Sequence, residues 1–238
     1  MDLRKNLQDT TELEEKSVKA IIRPIIHEIE NSLQVIKLET HLVLRDHAGT
    51  LYPAINRIDR LLRDLRDYVL LDEPIFSEQR LDGILDELVD DLKKEFHHKK
   101  VKLRIFHKNP IPSLRVDGRQ IRKALAHVLR FCQVLIDDAG DVKIGVRLRD
   151  MEGRKRVEIT ITSSSTALLR VREKDVFQPY LRVNNQDVGL GMALAHRVLR
   201  GHQASIVFQK KSPKRANVII LMDAGPDRLI PSNKNRTG

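Results

Sequence analysis

The chain holds one cysteine, Cys132, in 238 residues. One thiol closes no internal disulfide and supplies no cysteine-based zinc ribbon. Tryptophan is absent and aromatics are 4% of residues, so any core must be aliphatic. No run approaches the ~20 apolar residues that a membrane span requires. The opening MDLRKNLQDTTELEE is polar and lacks the apolar segment of a secretion signal. These absences lead us to expect a reduced, soluble, cytoplasmic protein with no membrane contact. Hydrophobic residues at 41% against 32% charged can still bury a core and exclude a wholly disordered chain.

Charge is uneven along the chain. Residues 1–74 carry 11 basic and 14 acidic side chains, a net of −3, whereas the remainder carries +13. Two units with different surfaces are expected. A basic unit suits nucleic acid, nucleotide phosphates or an acidic partner. Aromatic-plus-basic clustering is missing, so direct nucleic-acid binding is not expected.

Hydrophobic spacing divides the chain the same way. Ile22, Ile26, Ile29, Leu33, Ile36 and Val43 recur at helical steps, which predicts a helix with a near-heptad seam. Thr10 or Thr11 with Glu14 could cap its start, Pro24 should kink it, and Gly49 should stop it. A second helical run continues the pattern through Ile55, Ile58, Leu62, Leu65 and Val69. Such a hairpin cannot cover both stripes alone, so residues 1–74 are expected to form a four-helix bundle by homodimerisation through residues 20–70. Past Pro74 the pattern changes. Residues 80–96, Gly118 to about Leu135, and Gly191–Arg200 read as helices. VKLRIF (101–106), VKIGVRL (142–148), RVEITIT (156–162), ASIVFQ and NVIILM read as strands. Residues 75–224 are therefore expected to be an α+β sandwich, a mixed sheet with helices on one face, and 225–238 a polar tail.

Within HEIENSLQVI, steps of three and four place Arg23, His27, Asn31 and Gln34 on one polar stripe. That puts His27 in solvent on a rigid scaffold. A neutral imidazole nitrogen is a good nucleophile near pH 7. A neighbouring carboxylate such as Glu28 can hold one ring proton, and Asn31, one turn on, can orient water toward a phosphoryl group. From spacing alone, His27 reads first as one surface histidine among nine.

HEIENSLQVI resembles the H-box of the dimerisation and histidine phosphotransfer domain of two-component sensor histidine kinases. The resemblance makes His27 the phosphoacceptor, Glu28 the acidic residue that assists transfer, and Asn31 the residue used in dephosphorylating the partner. Residues 15–223 as a whole resemble a kinase core, with an ATP-binding domain of the GHKL type behind the hairpin. VFQPYLRV (176–183) is similar to that family's F-box. GLGMALAHRVLRGHQASIVF is similar to its second glycine box with the adjoining helix and strand. Gly189 and Gly191 match two glycines that let backbone amides approach phosphate.

The departures are as specific as the matches. Aligned through Leu125 and Leu129, the family's two N-box asparagines become His127 and Phe131. Phe131 offers no atom to a hard cation. Ser163 stands for the adenine-binding aspartate, Ser165 and Ala167 for the glycines of the first box, and Asp187 for the first glycine of the second. Losing a buried charged hydrogen bond costs roughly 1.5–3 kcal/mol, and losing the metal ligand adds several kcal/mol more. At ~1.4 kcal/mol per tenfold, autophosphorylation should fall by orders of magnitude. No cofactor and no metal site is expected, with residual ATP and magnesium binding left open. Of the other candidates, His127 and Cys132 read as structural, His97 and His98 as solvated, and His196 and His202 as lacking a metal-ligand set.

The expectation is a histidine phosphotransfer protein derived from a kinase. His27 would take a phosphoryl group from a response-regulator receiver domain and pass it on or lose it to water. Two alternatives stand beside it: a cytoplasmic sensor histidine kinase fed by ATP, and a non-catalytic pseudokinase scaffold.

Overall fold

The computed structural model describes residues 22–23, 25–38, 40, 48–107, 110–136, 139–151, 153–164, 171–179, 181–183, 186–212 and 214–224. The expected cap at Thr10, Thr11 and Glu14, the kink at Pro24, the seam position Val43, the box residues Ser165 and Ala167, and the tail 225–238 lie outside them. The chain divides into two units, Met1–Asp72 and Glu73–Gly238.

The first unit holds α1, helical across 25–38, and α2 (Ala48–Val69). Lys37 Nζ donates to Asp59 at 2.6 Å, and Arg66 Nη1 donates to Glu30 at 2.9 Å. A step back along α1 is thus matched by a step forward along α2, so the helices run antiparallel. The expected single seam splits in two. Ile26, Leu33 and Thr40 are buried, whereas Ile29 is 43% and Ile36 49% exposed. The reason is angular: Ile29 sits about 60° round the helix from Ile26, at 100° per residue. One α2 helix covers the first line and misses the second. Gly49 also departs from expectation, since it lies inside the first turn of α2 rather than ending α1. Amides in a first turn have no intrahelical partner, so glycine is tolerated there.

The second unit opens with β1 (Ser77–Gln79), α3 (Leu81–His98), β2 (Val101–His107), β3 (Leu114–Val116) and α4 (Gly118–Val134). It continues with β4 (Gly140–Met151), β5 (Arg154–Ser164), a 3-10 turn at Glu173–Asp175, β6 (Leu181–Val183) and β7 (Gln186–Gly189). It closes with α5 (Gly191–Gly201), β8 (Ser205–Ser212) and β9 (Arg215–Asp223). Five strands form a sheet in the order β2-β4-β5-β9-β8. β2 runs parallel to β4 and every other neighbour pair is antiparallel. Alternation sends Val142, Ile144, Val146, Val157, Ile159, Ile161, Val218 and Ile220 into the core. They meet the apolar stripes of the helices, among them Leu85, Leu88, Leu92 and Phe96 of α3 and Ile121, Leu125, Val128 and Leu129 of α4. This is the mixed sheet with helices that the alternation pattern predicts, and its core is aliphatic as composition requires. Two short pairs, β1–β3 and β6–β7, carry no alternation long enough to show in the sequence.

Candidate functional site

The phosphoacceptor candidate sits on α1. His27, Glu28 and Asn31 are all exposed, as are Arg23 and Gln34 on the same stripe. The helix buries Ile26 and Leu33 and directs Glu30 and Lys37 to ion pairs with α2. His27 lies about a quarter turn from that α2-facing side, at 100° per residue, so the packing that holds α1 leaves the ring in solvent. Ser32 hydroxyl donates to the Glu28 carbonyl at 2.9 Å, one of the contacts in the turn after the histidine.

The nucleotide-side candidates lie in the second unit. Gly189 ends β7 and pairs with Leu181 of β6, so the end of the F-box-like stretch and the strand leading into the glycines form a short antiparallel pair. Gly191 is the first residue of α5. A Cβ built there would stand 2.7 Å from Nδ1 of His127. A side chain at 191 would therefore require the His127 ring to move, so glycine here serves the packing of α4 beside α5. His127 is half-buried against it.

The replaced positions have structural duties. Phe131 is 1% exposed and meets Phe208 edge to face, with ring centroids 5.8 Å apart. Ser163 is fully buried and its hydroxyl donates to the Cys132 carbonyl of α4 at 3.0 Å. An aspartate at 163 would place a carboxylate against that carbonyl. The residues at 131 and 163 thus fit the interior of a packed unit and do not fit magnesium–nucleotide. Burial pushes the Cys132 thiol up to about 12, so it is inert core. Among the described residues no cluster of three or more His, Cys, Asp or Glu could hold a metal ion.

One polar network escaped the sequence reading. Asp117 caps α4: its carboxylate accepts from the Gln120 and Ile75 backbone N–H groups, each at 3.0 Å. Burial acts to raise its pKa, but those two N–H groups and the charge of Arg119 prevail and hold it below the usual carboxylate value. The Asp117 N–H donates to Nε2 of buried His202 at 3.0 Å, which leaves Nδ1 to donate to the Val198 carbonyl at 2.8 Å. Phe76 stands edge-on to the same ring. The network pins the chain entering this unit to the start of α4 and the end of α5. The D-G-R-Q cap was the available signal; the His202 link spans 85 positions and leaves no local pattern. His196 stacks on Phe177 at 5.2 Å, and burial, with Arg200 beside it, lowers its pKa.

No protein-family model matches the chain. Curated relatives do. Sporulation kinase E of Bacillus subtilis is 19% identical over 225 residues, covering 88% of this chain and 30% of its own length. Sensor histidine kinase ZraS of Escherichia coli K12 is 20% identical over 239 aligned positions, covering 96% and 50%. Nitrogen regulation protein NtrY of Azorhizobium caulinodans is 23% identical over 205, covering 78% and 26%. The chain thus spans about a quarter to a half of the length of these relatives. Among solved structures, the Acinetobacter baumannii histidine kinase AdeS superposes with TM-score 0.61 at 14% identity, over 82% of this chain and 95% of that one. Full-length ShkA in complex with AMPPNP gives 0.65 at 15%, over 84% and 44%. The catalytic domain of histidine kinase ThkA gives 0.53 at 16%, over 64% and 99%. With sensor histidine kinases as relatives in sequence and histidine kinase catalytic domains as neighbours in fold, the chain carries a two-component histidine kinase core whose second unit has the GHKL-type α+β fold.

Proposed function

We propose that this chain is a histidine phosphotransfer protein built on a kinase core, with His27 as the phosphoacceptor. The observation that carries the reading is a contrast. His27, Glu28 and Asn31 stand exposed on α1, while the positions that would hold magnesium–nucleotide are filled by buried Phe131 and by Ser163 bonded to a helix carbonyl. The acceptor survives and the donor side does not. Phosphoryl must then come from a partner, and the receiver domain of a response regulator supplies it as an aspartyl phosphate.

In that step the lone pair of a neutral imidazole nitrogen of His27 attacks phosphorus. The N–P bond forms, the P–O bond of the mixed anhydride breaks, and the receiver carboxylate leaves. Glu28 offsets the positive charge that develops on the ring. Return of the phosphoryl to a second receiver is the reverse reaction, and Asn31 orients water where the group is hydrolysed instead. Two copies of the first unit pair through Ile25, Ile29, Ile36 and Ile58, each at least 43% exposed in the single chain, to give a four-helix bundle.

The test is incubation with a receiver domain charged from labelled acetyl phosphate. Acid-labile label on His27, absent in His27→Ala, is expected. A chain that takes no label from the receiver overturns the reading. The names of the relatives and the match at Gly189 and Gly191 favour a second reading, ATP-dependent autophosphorylation. Acid-labile label on His27 from labelled ATP alone would establish it. Label from neither source leaves the pseudokinase scaffold.

A further inference from the structure

β2 stands at one end of the five-stranded sheet. Its phase is set at its start, where the Lys100 carbonyl accepts from the Gly140 N–H. Even-numbered residues therefore bond to β4, and Val101, Leu103 and Ile105 turn their N–H and C=O groups to the open edge. A cleft of about 560 Å³ runs beside this edge. Lys94, His97 and His98 from the last turns of α3 line it with Val101 and Leu103 of β2, and Lys102 and Arg104 border it from the other face of the strand. Lys94, Lys102 and Arg104 have no ion-pair partner among the described residues.

We propose that this edge and its basic cleft dock an extended acidic segment of another protein, which adds to the sheet as a sixth strand. Backbone groups on the edge supply the pairing, and alternate carboxylates lie on the face that carries Lys102 and Arg104. Three features select this occupant. A second copy of the chain would set Lys102 and Arg104 against the same residues, so like charges oppose self-pairing. A nucleic-acid backbone brings acceptors only and leaves the outward carbonyls of β2 unmatched, whereas a peptide brings donors and acceptors in alternation. Val101 and Leu103 on the other face suit the aliphatic side chains that alternate with the carboxylates. The opposite edge is less open: the Lys210 N–H of β8 is already taken by the Glu173 carboxylate of the 3-10 turn. Basic residues on an edge strand also discourage aggregation, and the experiment separates that role from docking. None of this depends on phosphoryl transfer by His27.

The probe is a fluorescein-labelled decapeptide of alternating glutamate and valine, titrated with the full chain and read by fluorescence anisotropy. Saturable binding is expected, weakened about tenfold or more by the double variant Lys102→Glu/Arg104→Glu. The equally charged control Lys211→Glu/Lys214→Glu on the β8–β9 side should stay within about twofold. A peptide of the same sequence N-methylated at alternate amides keeps its charge, loses strand pairing, and should bind about tenfold more weakly. The proposal is overturned if the decapeptide does not bind, if the methylated peptide binds equally, if the control variant weakens binding as much, or if a ten-nucleotide single strand displaces the peptide and binds more tightly.

Discussion

The two units solve the same problem to different degrees. In the second, five strands and three helices among the described residues close around an aliphatic core, and Phe131 and Ser163, two positions the sequence aligns with a nucleotide site, are part of that closure. In the first, two helices bury one line of side chains and leave another, Ile25, Ile29 and Ile36, in water. An exposed line of isoleucines is the surface that the proposed bundle would cover. The difference teaches where change is tolerated. A closed unit tolerates residues that depart from the family pattern at 131 and 163, because those residues pack. On an open helical face, the phosphotransfer proposed for His27 would depend on the residues in solvent staying as they are.

The sharpest way to break this contrast is at His27. His27→Ala should abolish phosphoryl acceptance from a charged receiver while circular dichroism stays unchanged, because the exposed ring supports nothing. Retained label would place the acceptor elsewhere. Next in size is Ile29→Asp with Ile36→Asp. Each isoleucine buried in a dimer is worth about 1.5–3 kcal/mol, and symmetry uses each twice. Sedimentation equilibrium should show association weakened by about three orders of magnitude or more, at ~1.4 kcal/mol per tenfold; an unchanged dimer would refute the bundle.

Phe131→Ala should destabilise the second unit by about 3–5 kcal/mol in urea unfolding. Phe131→Asn, which restores a family-like residue, should lose comparable stability and gain no nucleotide binding. Asp117→Ala should cost about 1–2 kcal/mol through the lost cap. Its pH signature has a definite sign. The folded carboxyl lies below its ordinary 3.8, so its contribution is full above that value and is lost as pH falls through the lower folded value. Asp117→Asn should flatten the acid limb of the stability curve. The smallest effect belongs to His196, whose folded pKa lies below 6.5. Keeping that ring neutral stabilises the fold fully above 6.5 and progressively less as pH falls toward the folded value. His196→Gln should remove that slope below about pH 6.5, the ordinary histidine value.

Most of the fold was legible because its signals are local. α3, α4 and α5 arise from apolar steps of three and four, and β4, β5, β8 and β9 from alternation around polar turns. The exposure of His27 was legible for the same reason, since the polar stripe Arg23, His27, Asn31, Gln34 shares one angular sector. The split seam was not. Ile26 and Ile29 are equally apolar and both lie at helical spacing; only the direction from which α2 approaches separates them. Nor was the His202–Asp117 bond, made between residues far apart in the chain.

Amino-acid order alone determined the helical and alternating patterns, the aliphatic character of the core and the polar face that carries His27. Each depends on neighbours within a turn or a pleat. Tertiary packing decided which isoleucines are covered, that position 191 is crowded by the His127 ring, and that Phe131 and Ser163 are buried in the core. Those outcomes depend on which surfaces meet, and a one-dimensional pattern does not contain the meeting.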